Sequence, residues 1–388
     1  MAAPEIAPGR HKAALIGDGF IGPVHAEALR RIGVEVVGLL GSRPERARPL
    51  AQRLGIGRVY DDLDALLDDQ DVQSVHVTSP NASHFEQTRR ILESGRHVVC
   101  EKPLAISSAQ TGALCDLSRA RPELAAAVNY NVRFYPLCRE IRARVTRGDI
   151  GQVFTVTGSY TQDWLLHQDD YNWRVEPDGG TNLRAVADIG THWMDLAQFV
   201  IGKSIVSVMA DLATFYPQRH RPVGPVQTFS GPDGAGRETE PVVVTTEDHG
   251  AVLLRWDEGI RGAYHVSQVV AGRKNRLLLE VAGSEGALVW DSESPDTLWI
   301  GHRGRPNEVL NRDPALLSFE AGSISHYPGG HVEGFADTFK QLSLSVYRWI
   351  ADGATEEPTF PTFEDGHREL LLCEAIARSA RSGAWVAV

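Results

Sequence analysis

The feature that most constrains this chain is a glycine-rich turn near its N-terminus, placed between an apolar run and a helical segment. Gly17, Gly19 and Gly22 form the pattern GxGxxG directly after the apolar residues 13–16. Such glycines allow a tight turn, a close approach of the backbone to a pyrophosphate, and close packing of helix on strand. Because strand, turn, helix and second strand follow in that order, we predict a Rossmann domain that binds a dinucleotide; an ordinary loop is the alternative.

The N-terminal third alternates short apolar runs with helical segments, a pattern typical of a parallel sheet with crossover helices. The predicted strands are residues 13–16, 34–40, 74–78, 98–100 and 124–128. The predicted helices are residues 24–32, 44–54, 82–94 and 108–119. We therefore predict an α/β fold whose first domain, residues 1–128, holds a Rossmann parallel sheet and begins with a loose tail at residues 1–11.

Residues 129–388 show longer β-branched and aromatic runs, which predict a second α/β domain with a large open, mostly antiparallel sheet. The predicted strands are residues 153–161, 204–215, 242–256, 262–270, 277–281 and 287–290. One helix is predicted at residues 182–201 and surface loops at residues 221–237 and in part of 292–325. A late core helix is predicted from helical spacing of Phe335, Phe339, Leu342, Val346 and Trp349.

Composition narrows the partners of the chain. Its 388 residues carry a formal net charge of -11, and no run of Lys and Arg reverses that charge locally, so nucleic acid and membrane surfaces are poor partners. The N-terminus lacks the apolar region of a signal peptide, and no apolar run is long enough to span a bilayer. Cysteines stand at four scattered positions without metal-site or redox-motif spacing, which predicts free buried thiols, a reducing cytoplasm and no metal. These cysteines are Cys100, Cys115, Cys138 and Cys373.

The end of the second predicted strand bears on the choice of cofactor. An acid there would bind the adenosine ribose hydroxyls, but the chain has Gly41, Ser42 and Arg43. An arginine and a hydroxyl suit a 2'-phosphate, with Arg46 as further help, so this position favours NADP over NAD. A solvated arginine at the start of a surface helix is the alternative, and the cofactor prediction is NAD or NADP.

Two further loops leave strands of the same sheet at the edge where ligands of open α/β sheets bind. The first holds Ser79, Pro80, Asn81 and His84 and is predicted to face the cofactor; a plain turn with Asn81 as helix cap is the alternative. The second loop begins with Glu101, Lys102 and Pro103. Its lysine is a candidate for chemistry, although a lysine beside a proline is often only a loop charge.

Farther along, Asp188 and His192 stand one helical turn apart, so we expect them on the same face of a helix. A structural pair is the ordinary interpretation of that spacing. The motifs together change the balance. GDGFIG, TSPNASH, EKPL, NYNVRF, a double glycine and DIGTH occur in one order that resembles the Gfo/Idh/MocA family of oxidoreductases. Residues 160–164 with Trp173 and Arg174 resemble its branch of sugar and inositol dehydrogenases related to levoglucosan dehydrogenase.

The resemblance implies a Rossmann domain followed by a second domain whose open sheet forms the interface of a homo-oligomer, a dimer or tetramer. It also implies a reaction in which a ring carbinol of a sugar, anhydrosugar or cyclitol is oxidised, or the corresponding ketone is reduced. It implies catalytic roles for Lys102, Asp188 and His192, and ligand contacts from the NYNVRF stretch, where Val132 departs from the family pattern. The implied cofactor contacts are Gly17, Gly19, Phe20, Ile21, Gly22, Ser42, Arg43, Ser79, Pro80, Asn81, His84, Glu101, Lys102, Asn131, Trp173 and Arg174. The implied substrate contacts are Tyr130, Arg133, Trp164, Asp188, His192 and His331.

The chemistry of these residue types agrees with that implication. Removing a hydride from a carbinol leaves a proton for a positioned base, and an imidazole such as His192 suits that task. Asp188 would orient the ring or hold the substrate, and Lys102 would donate to the reacting oxygen. Which of Lys102 and His192 takes the proton first stays open. Trp164, Trp173 and Arg174 would line the pocket, with buried tryptophans and a surface ion pair as the alternative.

Two other functions fit parts of the same sequence. A glycosidase that uses a tightly held NAD for transient oxidation would share these sites but give no net reduced cofactor. A non-catalytic protein that keeps the Rossmann domain only for binding would tolerate replacement of Lys102, Asp188 and His192. The intact chemical positions favour the dehydrogenase.

Overall fold

A computed structural model describes residues 11–176, 182–223 and 238–388. Residues 1–10 of the predicted tail, the double glycine at 179–180 and residues 224–237 of a predicted loop lie outside the described residues. The strands are β1 Lys12–Ile16, β2 Glu35–Leu40, β3 Arg58–Tyr60, β4 Ser74–Val77, β5 His97–Cys100, β6 Ala126–Val128, β7 Val153–Thr161, β8 Ile205–Ala213, β9 Gln218–Pro222, β10 Thr239–Val243, β11 His249–Trp256, β12 Arg261–Ser267, β13 Arg276–Gly283, β14 Ala287–Asp291, β15 Thr297–Gly301, β16 Glu308–Asn311 and β17 Val386–Ala387.

The α-helices connect these strands, and the last three lie between β16 and β17. They are α1 Ile21–Arg31, α2 Pro44–Leu54, α3 Leu63–Asp68, α4 Asn81–Glu93, α5 Ser108–Arg119, α6 Pro136–Arg147, α7 Thr191–Ile201, α8 Phe319–Gly322, α9 Phe335–Ala351 and α10 Phe363–Ser382. A π-helical turn, Val186–Gly190, runs directly into α7. Short 3-10 helices lie at Asn131–Phe134, Trp173–Val175 and Asp257–Gly259.

The chain divides into two compact units. The first unit comprises Met1–Phe134 and Gly334–Leu370, and the second comprises Tyr135–Glu333 and Leu371–Val388. The chain therefore enters the second unit, returns to the first with α9, and ends in the second. Helix α9 lies far beyond the predicted domain boundary at residue 128 but belongs to the same unit as the N-terminal sheet.

The sheet of the first unit has six strands in the order β3-β2-β1-β4-β5-β6, and each pair is parallel. This confirms the predicted Rossmann sheet, to which the structure adds β3 and α3. Both faces of the sheet are buried, as the nearly continuous apolar strands require. In α9, Phe339, Leu342 and Val346 are buried as predicted, whereas Phe335 is 42% exposed.

The second unit holds a nine-stranded sheet in the order β16-β15-β14-β13-β7-β12-β11-β8-β17. Only the central pair of β7 and β12 is parallel among these described strands, so the predicted open, mostly antiparallel sheet is confirmed. Strands β9 and β10 form a separate antiparallel pair. Trp193 of α7 anchors that helix on the sheet, because its Nε1 donates to the Leu278 carbonyl at 2.9 Å.

Several predicted boundaries in this unit are wrong. The single strand predicted at residues 242–256 is two strands, and residues 244–248 between them carry Glu247 and Asp248. The helix predicted from residue 182 begins only at Val186, and its first part is π-helical. Helices α6 and α10 and strands β15 and β16 were not predicted.

The four cysteines are buried, and none of them forms a disulfide bond. Within residues 11–176, 182–223 and 238–388, the helices are too short or too polar to cross a membrane.

Candidate active site

The glycine turn after β1 shows different uses for its glycines. Gly17 has φ of +120°, and a Cβ there would lie 2.5 Å from the Thr78 carbonyl oxygen. A Cβ on Gly22 would lie 2.7 Å from the Gly17 carbonyl oxygen. At Gly19, by contrast, a Cβ would meet no atom of the described residues within 4 Å. Packing within the chain thus explains Gly17 and Gly22 but not Gly19, and this is the position where a pyrophosphate approaches the backbone in a dinucleotide turn.

Helix α1 begins directly after this turn, at Ile21. Its first turn contains no acidic residue, so the free N–H groups and positive end of the helix are available to an anion. Phe20, next to them, is 58% exposed. The turn therefore fits the diphosphate of a dinucleotide, as the predicted contacts of Phe20 and Ile21 require.

The end of β2 is occupied by a carboxylate from the glycine turn. Asp18 Oδ2 accepts hydrogen bonds from Ser42 Oγ at 3.0 Å and from the Ser42 backbone N–H at 3.3 Å. Arg46 Nε lies 3.9 Å from the same oxygen, while Arg43 is exposed. Sequence reasoning missed Asp18, because it looked for an acid only at the end of β2 itself.

The loop after β4 is tied to the lysine loop by a histidine. His84 is buried, and its Nδ1 and Nε2 lie 2.7 and 2.8 Å from the carbonyl oxygens of Pro103 and Ser79. Burial lowers the pKa of His84, but contacts with Cys100 and these carbonyls outweigh it and raise the pKa to about 9. Both carbonyls can only accept, so a doubly protonated imidazole satisfies both bonds. His84 thus fixes the two loops relative to each other.

The alternative in which Asn81 caps α4 is wrong. The helix begins at Asn81, the capping position is Pro80, and no side-chain cap bond is formed. The Ser79 hydroxyl donates instead to Gln87 Oε1 at 2.6 Å. The start of α4 therefore has no side-chain cap.

The lysine loop follows β5 and starts with a buried carboxylate. Glu101 Oε1 lies 2.9 Å from His25 Nε2 and accepts from Asn129 Nδ2 at 2.5 Å, and Oε2 accepts from the Lys102 backbone N–H at 3.2 Å. Burial raises the pKa of Glu101, but His25, Lys102 and Asn129 outweigh burial and hold it below its ordinary value. Lys102 itself is partly exposed, and the Lys102–Pro103 peptide is cis. Glu101 is therefore an ionised anchor of the loop that presents Lys102.

The stretch after β6 makes structural contacts inside the first unit. Tyr130 is fully buried in the core, and Asn131 Nδ2 donates to Thr338 Oγ1 at 2.7 Å. Arg133 pairs with Asp365 at 2.7 Å. The predicted ligand contacts of Tyr130, Asn131 and Arg133 stay predictions.

In the second unit, the π-helical turn and the start of α7 carry Asp188 and His192. Asp188 Oδ2 accepts from Gln268 Nε2 at 2.9 Å, and its Oδ1 lies 3.5 Å from Arg174 Nε. His192 is 9% exposed, and its ring centroid lies 6.2 Å from that of Tyr160. The structure thus joins Arg174 to Asp188 and adds Gln268, which the sequence did not suggest.

A buried ionic cluster holds the start of this π-helical turn. Glu247 accepts the backbone N–H groups of Arg184 and Val186 at 2.8–2.9 Å. Arg184 and Arg219 both donate to the Asp248 carboxylate, and all three side chains are fully buried. Burial raises the pKa of Glu247 to about 7 although these hydrogen bonds oppose the shift. The orientation of Asp188 therefore depends on a carboxylate more than fifty residues away in sequence.

The remaining predicted pocket residues lie in different settings. Trp164 packs partly against Leu165 and Val175, and its Nε1 donates to Gln162 Oε1 at 2.7 Å. Trp173 is 41% exposed, with the Arg174 guanidinium 4.5 Å above its ring. His331 is exposed, and its carbonyl accepts from Arg312. Their ligand roles stay predictions.

Two family models match the chain. One, described as the oxidoreductase family with an NAD-binding Rossmann fold, covers residues 11–130, and the other, described as the GFO/IDH/MocA C-terminal domain, covers residues 138–289. The first match covers the six-stranded sheet, and the second covers the chain from β7 into β14.

Individual proteins are similar over nearly the whole chain. Levoglucosan dehydrogenase from Pseudarthrobacter phenanthrenivorans is 27% identical, covering 96% of this chain and 97% of its own. An oxidoreductase structure from Sinorhizobium meliloti is 30% identical with a TM-score of 0.81, covering 97% of this chain and 99% of its own. An inositol dehydrogenase homologue from Azotobacter vinelandii, solved with NADH and myo-inositol, is 25% identical with a TM-score of 0.85 and full coverage of both chains.

Proposed function

Because this chain belongs to the Gfo/Idh/MocA family of NAD-binding oxidoreductases, we propose that it transfers a hydride between a nicotinamide dinucleotide and a ring secondary alcohol or ketone. The substrate class we propose is a sugar, anhydrosugar or cyclitol, supported by relatives named for levoglucosan and myo-inositol. The observation that carries the proposal is the common edge of the first sheet. There the glycine turn follows β1 and Lys102 follows β5, with β4 between them.

The glycine turn and the start of α1 would hold the diphosphate, with Gly19 leaving the backbone open to it. The nicotinamide, when bound, supplies or accepts the hydride. Lys102 would donate a hydrogen bond to the reacting oxygen, and His84 and Glu101 fix the loop from which it acts. These roles require only residues of the first unit.

The second unit would supply the base. We assign His192 to take the hydroxyl proton during oxidation and return it during reduction. Asp188 would orient the substrate or the imidazole, since contacts with Gln268 and Arg174 hold its carboxylate in place. Asp188 lies on the π-helical turn and His192 in the first turn of α7, so the passage from one helix into the other sets the spacing of these two groups.

For the cofactor, NAD is supported better than NADP. The Asp18 carboxylate at the end of β2 already holds both polar groups of Ser42, the residue on which a 2'-phosphate site would depend. A second anion beside this carboxylate would be repelled. We therefore infer that the acid expected at the end of β2 comes from inside the glycine turn, and that Arg43 and Arg46 do not form a phosphate site.

We also propose that the chain forms a homo-oligomer, dimer or tetramer, through the open face of the nine-stranded sheet. Leu253, Trp299 and Val309 are 49%, 37% and 61% exposed on it. A surface with several exposed large apolar side chains is typical of an association site.

The direct test is a screen of sugars, anhydrosugars and cyclitols with NAD and with NADP, following absorbance of the reduced nicotinamide. We expect reduced cofactor to form in step with oxidised substrate. Release of a sugar from a glycoside without net reduced cofactor would instead identify the glycosidase.

With the best substrate, Lys102→Met and His192→Asn should each lower kcat/KM by about 10²- to 10⁴-fold, the usual contribution of an acid or base. Lys203→Met and His220→Asn, which change a partly exposed lysine and a partly exposed histidine, are the matched controls. If Lys102→Met and His192→Asn kept full activity, neither residue would be the acid or base of the reaction, and the roles assigned to them here would be wrong.

A further inference from the structure

A chain of buried polar side chains crosses the first unit behind the lysine loop. Its hydrogen bonds join Ser74 Oγ to Tyr347 Oη at 2.6 Å, Tyr347 Oη to His76 Nε2 at 3.1 Å, and His76 Nδ1 to His25 Nδ1 at 2.8 Å. The last bond joins His25 Nε2 to Glu101 Oε1 at 2.9 Å. All five residues are at least nine-tenths buried. None of the roles proposed above uses the two histidines.

The donor in each bond follows from Glu101. An ionised carboxylate can only accept, so His25 must carry a proton on Nε2. If His25 is neutral, its Nδ1 is an acceptor and His76 must donate from Nδ1. His76 Nε2 then accepts from the Tyr347 hydroxyl, and Tyr347 accepts from Ser74. Every hydrogen bond in the chain therefore points toward Glu101.

One added proton reverses the donor and the acceptor in each hydrogen bond between Ser74 and His25. If Ser74 takes a proton from outside and passes its own to Tyr347, Tyr347 passes its proton to His76 Nε2. His76 then passes its Nδ1 proton to His25 Nδ1. Each hydrogen moves across one existing bond, no bond between heavy atoms changes, and one positive charge appears on His25 beside Glu101. The same steps in reverse release a proton at Ser74.

We propose that Ser74, Tyr347, His76 and His25 form a proton relay that ends at Glu101, beside Lys102. The link to catalysis rests on the function proposed above, because ketone reduction consumes one proton and alcohol oxidation releases one. His25 and His76 are then positioning and relay residues that act through Glu101 and Lys102 and touch neither substrate nor cofactor.

The surroundings of the histidine pair favour a neutral His76. Burial first, and then the charge of His25, hold the pKa of His76 well below its ordinary value. Phe339 of α9 packs its edge against His25, with ring centroids 5.3 Å apart.

The other charged groups around the pair are few. Lys102 lies on the adjoining loop, and its charge lowers the pKa of Glu101. Helix α9 contributes Lys340, which is buried, and Asp337, which pairs with Arg31 of α1 at 2.5 Å. At the far end, the partly exposed His11 lies with its ring 5.9 Å from that of Tyr347. Among the described residues, Glu101 is the only anion hydrogen-bonded to His25.

The first test needs no substrate. Nitrogen NMR of the full chain labelled at histidine reports which ring nitrogen carries the proton. We expect His76 to be the Nδ1–H tautomer at alkaline pH and to change to the Nε2–H tautomer when a proton enters the relay. A His76 that stays Nε2–H at every pH would overturn the relay whether or not the chain is a dehydrogenase.

The second test uses Tyr347→Phe, which removes one hydroxyl and interrupts the relay between Ser74 and His76. We expect the pH profile of kcat/KM to shift and the rate of the proton-coupled step to fall about tenfold, with an unchanged Kd for NADH. His97→Gln is the control: His97 is a partly buried histidine of the same sheet whose Nδ1 accepts from the Ala125 backbone N–H.

The variant His76→Phe distinguishes a proton relay from a purely structural role of these hydrogen bonds. Both His76→Phe and His97→Gln should lower the unfolding temperature, since each removes a histidine that is hydrogen-bonded within the first sheet or its helices. Only His76→Phe and Tyr347→Phe should change the pH profile. If the pH profiles of His76→Phe and Tyr347→Phe run parallel to that of the wild type, these hydrogen bonds have only a structural role.

Discussion

Gly17 and Gly19 stand two residues apart in the glycine turn, but different atoms surround them. Alanine at Gly17 would require an unfavourable φ and place its Cβ 2.5 Å from the Thr78 carbonyl oxygen. Alanine at Gly19 would meet no atom of the described chain within 4 Å. The first glycine is required by the fold, and we infer that the second is required by the ligand.

We therefore predict opposite outcomes for the two alanine variants. Gly17→Ala should lower the free energy of unfolding by on the order of 2 kcal/mol, seen as a lower Tm without ligand. Gly19→Ala should leave that Tm unchanged and weaken NADH binding by about tenfold or more, a loss of about 1.4 kcal/mol, measured by calorimetry. Equal NADH affinity for Gly19→Ala and wild type would contradict our placement of the diphosphate.

Asp18 decides the cofactor in our proposal. Its carboxylate holds Ser42, and a 2'-phosphate at the end of β2 would add negative charge beside it. We predict that Asp18→Asn raises the affinity for NADPH relative to NADH about tenfold, the scale expected for removing one nearby like charge. Fluorescence titration with both cofactors measures the ratio.

Glu45→Gln is the matched control for Asp18→Asn, because it removes an exposed acid in the first turn of α2. It should leave the ratio unchanged. If wild type binds NADPH more tightly than NADH, and Arg46→Ala abolishes that preference, the arginines form the phosphate site and our assignment of Asp18 is wrong.

The residues that the sequence missed share one property: their partners are distant along the chain. Lys102, Asp188 and His192 are recognisable because a short motif surrounds each of them. Gln268 contacts Asp188 across 80 residues, and Glu247 contacts Val186 across 61. Such pairs depend on how the strands of the second unit are registered, and no local spacing predicts that register.

At the scale of elements, the sequence predicts a helix or strand best where one spacing of apolar residues continues along its whole length. Helices α2 and α5 and strand β7 begin and end where the pattern places them. Strand β3 has three residues and α3 has six, too few to establish a period. The sequence pattern does not reveal the break between β10 and β11, because residues 242–244 are all valine and continue the apolar run beyond the end of β10.

The π-helical turn of the second unit depends on one carboxylate. Glu247 accepts the backbone N–H groups at its start, and burial raises the pKa of Glu247 to about 7 from an ordinary 4.5. Because the folded state holds this proton more tightly than the unfolded state, the contribution of Glu247 to stability is full below about pH 4.5. It is lost progressively as the pH rises to about 7.

We predict that Glu247→Gln removes this pH dependence, since the neutral amide oxygen can still accept both N–H groups. Hydrogen exchange of residues 184–190, corrected for intrinsic rates, should show wild-type protection falling relative to the variant as the pH rises through this window. Glu285→Gln, an exposed carboxylate of the same unit, is the control. A constant ratio of protection between wild type and Glu247→Gln would contradict the prediction.

At the scale of the whole molecule, the open face of the nine-stranded sheet carries an unbroken row of side chains. The strand registers place these residues side by side across eight strands: Met209, Leu253, Ala263, Thr157, Glu280, Val289, Trp299 and Val309. Most are apolar, and the exposed members would lose water contact only if another surface covered them. A second copy of this chain offers the same row, so a twofold axis would bring like residues together.

We predict that a charge in this row prevents self-association. Leu253→Glu and Trp299→Glu would each bury an unpaired carboxylate in the proposed interface, which costs more than the apolar contact it replaces. Light scattering coupled to size exclusion should therefore show the wild-type oligomer become monomer in both variants. Val332→Glu adds the same charge at a 70% exposed valine in the second unit outside the row, and should leave the mass unchanged. A wild-type monomer, or an oligomer that survives both substitutions in the row, would show that this face is not where copies meet.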